Sequence, residues 1–178
     1  MLESIGYKTL VNRYKNRIFS YSVYMLKNNM DAEDVTQEVL IRLWKNMGKF
    51  KLPAAGSWIM RTTHNLCIDY LRRNQIDRQR SVYIDEDESS EERIMDSNKE
   101  NQPETKTQQN IVVERIKNAV QKLPENLKSV FVLYEIEGFK YKEISSVLDI
   151  PINSVKVYLL RARKKLQEEL KDYAKQEA

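Results

Sequence analysis

Trp58, Arg61, Thr62, Asn65, Asp69, Arg72 and Arg73 follow one another at helical spacing, so on a helix they occupy one side. An indole can stack on bases, an amide can bond base edges and guanidinium groups can hold phosphates, so this side has the chemistry of a nucleic-acid surface. For Trp58 alone, burial against a neighbouring helix is an equally good reading. A second set lies near the C-terminus, where Ser154, Val157, Tyr158, Leu160, Arg161, Lys164 and Lys165 sit opposite an apolar stripe of Val155, Leu159, Ala162, Leu166 and Leu170. The segment before it, 141–148, offers Ile144, Val147 and Leu148 to a core, and a short turn at 149–151 joins the two. Two helices across a tight turn, the second apolar on one side and basic on the other, suit a reader of the major groove. The competing reading is the solvated face of an ordinary bundle helix.

Other kinds of chemistry lack their residues. His64 is the single histidine, with no cysteine or carboxylate set at ligand spacing, so no metal site is expected. No Gly-rich phosphate loop is present. The carboxylates fall on faces too varied to pair as acid and base, and Cys67 lies on the core side of its helix, where packing is the expected role. An enzyme is disfavoured and no cofactor is implied.

Helices must position these residues. The 178 residues include only four Gly and four Pro, with 41% hydrophobic and 31% charged residues, which points to small helical domains with much exposed surface. The net charge of +4 is unevenly spread. Residues 1–80 carry 14 Lys/Arg against 7 Asp/Glu, residues 81–110 carry 3 against 9, and residues 111–178 carry 13 against 10. Two basic segments therefore flank an acidic one. No apolar run approaches the ~20 residues of a membrane span, the N-terminus opens no signal peptide, and a lone cysteine fits a reducing compartment, so a cytoplasmic location is expected.

A first helix is expected over 5–28, with Leu10, Tyr14, Ile18, Tyr21 and Met25 inward and Arg13, Lys15 and Arg17 solvated or facing a partner. Asp31 is expected to cap a second helix, 32–47. Its core stripe is Val35, Val39, Leu40, Leu43 and Met47, and its opposite side shows Asp34, Gln37, Glu38, Ile41 and Lys45. Exposed Ile41 among polar residues suits a protein-binding face. Trp44, at its margin, either joins that face or packs on the first helix. After a loop at 48–56, Ser57 is expected to cap a helix over 58–73, whose core side is Ile59, Met60, Thr63, Leu66, Cys67, Tyr70 and Leu71. From Asn74 the pattern dissolves into an acidic linker. Helices resume at 111–123, with Ile111, Val112, Ile116, Ala119, Val120 and Leu123 inward, and at 125–137, with Leu127, Val130, Phe131 and Tyr134 inward and Gly138 as the stop. The expected fold is all-α: domains over 1–76 and 111–178, the latter with a helix-turn-helix, joined by a flexible acidic linker over 77–110.

With these residues in order, the chain resembles the bacterial sigma-70 family, in particular the small sigma factors of the extracytoplasmic-function (ECF) group. The segment 31–39 (Asp-Ala-Glu-Asp-Val-Thr-Gln-Glu-Val) looks like the family's helix that docks on the clamp of RNA polymerase. Trp58-Ile59-Met60-Arg61 followed by 65–72 resembles its promoter −10 reading helix. Leu123-Pro124, the run 138–144, Ser154-Val155-Lys156 and 159–163 look like its −35 reading domain.

The resemblance implies a non-catalytic subunit that binds core RNA polymerase, directs it to promoters and assists strand opening. Its partners would be core polymerase, promoter DNA (duplex at −35, melted at −10) and an anti-sigma factor, with no membrane insertion. Carried over by position, Asp34, Gln37, Glu38 and Ile41 would meet the polymerase. Trp58, Arg61, Asn65, Asp69, Arg72 and Arg73 would serve the −10 element, with the loop 50–56 helping to form a pocket for an extruded base. Ser154, Lys156, Val157, Tyr158, Leu160, Arg161 and Lys164 would serve the −35 element, while Arg163 and Lys164 also suit phosphate or structural roles.

Asp149 and Asn153 stand where relatives commonly have Gly, and both tolerate left-handed or capping backbone. Val157-Tyr158 replaces a small polar and basic pair, and Val157 could touch a thymine methyl. Thr62-Thr63-His64 replaces a more apolar stretch. The alternative from the C-terminal unit alone is a stand-alone helix-turn-helix regulator. A module that only sequesters a regulator would leave the face at 58–73 unexplained.

Overall fold

The computed structural model describes residues 2–49, 51–84 and 108–176, and among them every regular element is helical. Helix α1 (Leu2–Leu26) packs against α2 (Asn29–Asn46) and α3 (Ala55–Ile84). Helices α4 (Gln108–Lys122), α5 (Glu125–Phe131) and α6 (Tyr141–Leu148) gather on α7 (Ile152–Gln176). The flexible linker expected over 77–110 lies, from 85 to 107, outside the described residues.

All five apolar residues expected to face inward from α1 are buried, as are Val35, Val39 and Leu43 of α2. The α1–α2 break is tighter than expected, because Asn28 rather than Asp31 is the N-cap. Its Oδ1 accepts from the backbone N–H of Met30 at 2.8 Å and Asp31 at 3.1 Å, so α2 already begins at Asn29. Such a cap is worth about 1 kcal/mol. Lys27 reverses the chain at φ 58°, and Asp31 sits in the first turn, where its charge favours the helix dipole.

Helix α3 departs from expectation at both ends. A short 3₁₀ turn, Leu52–Ala54, leads straight into it at Ala55, so Ser57 lies inside its first turn and does not cap it. At Gly56 a Cβ would collide with the phenol of buried Tyr14; the glycine lets α3 lie close to α1. At the other end α3 passes Asn74 and runs to Ile84. Residues 72–77 are exposed, so no apolar stripe marks this part, but Arg, Gln and Asp can extend a helix already nucleated upstream.

In the C-terminal half, the buried apolar residues of α4 are Ala119 and Val120, with Leu123 buried just past its end. Val112 (52% exposed) and Ile116 (42%) were expected inside and are instead exposed, Ile116 lining an open groove with Phe131, Leu166 and Leu170. Helix α5 continues as a π-helical turn, Val132–Ile136, closed by Glu137 N–H to Val132 O at 2.9 Å. The wider turn shifts the inward side, burying Val132 and Leu133 and leaving Phe131 and Tyr134 only partly covered. Gly138 then ends the helix at φ 70°.

Candidate nucleic-acid interface

The three faces picked out by residue type all reach the surface, in different conditions. On α2, Asp34, Gln37 and Ile41 are exposed and Glu38 is partly so. Arg42, passed over in the sequence, binds Glu38 Oε1 through Nε at 2.6 Å, one helical turn away. Its four-residue spacing from Glu38 was the available signal. Trp44 fulfils both of its readings. Its ring meets Tyr7 of α1 edge-on at 5.0 Å, yet it remains 56% exposed beside Ile41 (48%), and Met30 (76%) adds a third apolar side chain at the head of the helix.

On α3, Asn65, Asp69, Arg72 and Arg73 are exposed, while Trp58 is half-buried against the core. Asp69 lies 4.0 Å from Arg72, a loose exposed pair, and Arg73 lies 4.8 Å over the ring of Tyr70. Arg61, although exposed, is already engaged. Its Nε donates to the backbone oxygen of Ser146 in α6 at 3.0 Å, and its Nη2 donates to the same oxygen. Phe50, at the start of the loop assigned to the base pocket, lies outside the described residues.

Behind this face, His64 Nδ1 is 2.8 Å from the hydroxyl of Tyr21. Burial pushes the imidazole down to about 4 and pushes the Tyr21 phenol well up, so two neutral groups share this bond and the His64 tautomer sets which of them donates. Cys67 is buried beside Ser22, its Sγ–Oγ distance 3.6 Å, and burial raises its thiol to about 12. Neither His64 nor Cys67 joins a metal-binding cluster among the described residues.

On α7, Val155, Leu159, Ala162 and Leu166 are buried as expected. Lys156, Val157 (42% exposed), Leu160 (68%), Arg161, Lys164 and Lys165 line the open side. Ser154 is partly covered, and Tyr158 turns toward the core, packing on it partly buried instead of standing on the open side. Arg163 is tied to Glu135 by Nε at 2.8 Å and Nη2 at 2.5 Å, which makes it a structural residue of this half. The α6–α7 turn holds its geometry without glycine. Asp149 takes the left-handed conformation at φ 55°, its N–H bonds Ser145 O, and Ser145 Oγ donates to Ile150 O at 2.6 Å. At the other end of α6, Glu143 Oε2 accepts from the Lys140 N–H at 2.7 Å.

The chain has measurable likenesses to known proteins. A family model described as Sigma-70 region 2 matches residues 10–76, and one described as Sigma-70, region 4 matches residues 113–166. The ECF RNA polymerase sigma factor SigW of Bacillus subtilis is 29% identical over 172 residues, covering 94% of this chain and 90% of the relative. SigE of Mycolicibacterium smegmatis, also named an ECF RNA polymerase sigma factor, is 28% identical over 169 residues, 95% of this chain but 63% of the longer relative. Among solved structures, the sigma factor RpoE of Bartonella quintana, crystallised with the anti-sigma factor NepR, superposes with a TM-score of 0.70 at 20% identity, covering 92% of this chain and 96% of that one. That structural likeness speaks to the fold.

Proposed function

The chain belongs to the sigma-70 family, as an RNA polymerase sigma factor of the ECF group, and from that premise we propose how its surfaces divide the work. The α2 face, Asp34, Gln37, Glu38 and Ile41 with Trp44 and Met30 beside them, docks on core polymerase. The α3 face, Trp58, Arg61, Asn65, Asp69, Arg72 and Arg73, serves the melted −10 strand, with guanidinium groups on phosphates and Asn65 near the extruded base. The open side of α7 enters the −35 major groove through Lys156, Val157, Leu160 and Arg161, with Lys164 on phosphate. Ser154 and Tyr158 set the helix in place more than they read bases, since both are partly covered.

The observation that carries this reading is the exposed set on each helix: carboxylate, amide and apolar groups on α2, guanidinium and amide groups on α3, and cations interleaved with Val157 and Leu160 on α7. Polymerase performs the chemistry, so the chain acts as a non-enzymatic subunit, in the cytoplasm where polymerase works. The acidic stretch 81–110 runs from the last turn of α3 to the first turn of α4, between the −10 and −35 units in the chain, and its charge suits a basic channel. An anti-sigma factor is a further partner in this reading.

Purified protein mixed with core polymerase should start transcripts at discrete sites on a cognate promoter. Absence of core binding at physiological salt would sink the reading. A tight gel shift of duplex DNA without polymerase would point instead to a stand-alone helix-turn-helix regulator.

A further inference from the structure

Among the described residues, the methionines divide sharply by exposure. Met25 and Met60 are 1% and 0% exposed, and Met47 is partly buried against the core. Met30 is 76% exposed, more than any other large hydrophobic side chain of the described set. The single cysteine, Cys67, is buried. Met30 stands in the first turn of α2, where its backbone N–H is fixed on Asn28 Oδ1 at 2.8 Å. At about 100° per residue, Asp34, Gln37, Ile41 and Trp44 fall within about 40° of the line through Met30. The thioether therefore heads the same exposed stripe as those four residues.

We propose that Met30 is a reversible oxidation site, and that conversion of its thioether to the sulfoxide by hydrogen peroxide loosens the hold of the chain on core polymerase. The loosening rests on the docking role given above to α2; the selective oxidation does not. In the step, a sulfur lone pair attacks one peroxide oxygen and the O–O bond breaks. That oxygen stays on sulfur and gives up its proton, and the other leaves as water. Sulfur loses two electrons and the peroxide gains them. Methionine sulfoxide reductases reverse the change at the expense of a thiol reductant.

Exposure gives the selectivity, since peroxide reaches Met25 or Met60 only when the helices part. The effect on docking follows from what surrounds the sulfur. A thioether is apolar and adaptable, which suits a contact beside Ile41 and Trp44. The sulfoxide oxygen is a strong acceptor and needs a donor once water is excluded. The first-turn N–H groups that could serve it are already taken: Met30 and Asp31 donate to Asn28 Oδ1, and Ala32 donates to Asn28 O at 3.1 Å. One turn on, Glu33 and Asp34 are exposed carboxylates with no proton to give. In the free chain water satisfies the new oxygen, and α2 keeps its cap and its buried side.

The test treats the full chain with hydrogen peroxide and follows each methionine by peptide mass spectrometry. Met30 is expected to oxidise well before Met25 and Met60, with far-UV circular dichroism unchanged. In the presence of excess core polymerase its oxidation is expected to slow markedly. Affinity for core, read by fluorescence polarisation, is expected to fall roughly tenfold on oxidation and to return after treatment with methionine sulfoxide reductases and dithiothreitol. In Met30→Leu, whatever its starting affinity, peroxide is expected to leave the affinity where it was. Equal oxidation rates at Met30 and the buried methionines would overturn the site. A peroxide loss as large in Met30→Leu as in wild type would overturn its link to docking. If Met30 oxidises fully with core affinity unchanged, while Gln37→Ala with Glu38→Ala weakens it, the inference fails and the docking role of α2 stands. If neither change weakens core binding, the docking role fails with it.

Discussion

His64 illustrates how one residue can serve the fold in a place where function was sought. Held neutral under the Tyr21 hydroxyl, with its ring pushed down to about 4 by burial, it binds a proton more readily in the unfolded chain, where the ordinary value is 6.5. Between about 4 and 6.5 the unfolded state holds more protons than the native one, so stability rises with pH across that window and is complete above it. Going from pH 7 to pH 5 should remove about 2 kcal/mol, measured by urea unfolding at the two pH values, and His64→Gln should flatten that difference. Arg161 stands at the opposite extreme, exposed on the open side of α7. If its guanidinium grips a base edge in two places, Arg161→Ala should cost about 1–3 kcal/mol at a single −35 base pair, read from binding of holoenzyme to a panel of promoter variants. An equal loss across the whole panel would assign it to phosphate instead.

At the scale of elements, the turn between α6 and α7 makes a prediction of its own. Asp149 pays for a left-handed backbone that glycine adopts freely, so Asp149→Gly should leave the turn in place and stabilise the chain by up to about 1 kcal/mol, seen as a raised urea midpoint. Asp149→Val should move it the other way. The same elements show what the sequence could tell. The buried stripes of α1, α2 and α7 were legible because each repeats at helical spacing and one side meets a core along much of its length. The tail of α3 was not, since residues 72–77 are exposed and carry no apolar stripe. Val112 and Ile116 misled in the reverse sense, being spaced like a core stripe yet left half exposed, Ile116 at the wall of an open groove with Phe131, Leu166 and Leu170. The π turn hides for a third reason: one extra residue per turn shifts every later residue off the 100° wheel. Among the candidate site residues, type and spacing found exposed sets on three helices, but Tyr158 and Arg61 required tertiary structure, because what covers or engages them comes from elsewhere in the chain.

For the whole molecule, the separation of surfaces means that one activity should be removable without the others. Gln37→Ala with Glu38→Ala alters only the outer side of α2, away from the buried Val35, Val39 and Leu43. The double variant should therefore lose affinity for core polymerase in a pull-down or polarisation assay while keeping wild-type helicity and urea midpoint. Unchanged core affinity would move the docking surface off α2. Cys67 supplies a gauge for every such comparison. Buried between α1 and α3 beside Ser22, with burial pushing its thiol up to about 12, it is shielded while those two helices stay packed. A disulfide dye such as Ellman's reagent will then develop colour only as α3 comes away from α1, so its rate times the parting of those two helices.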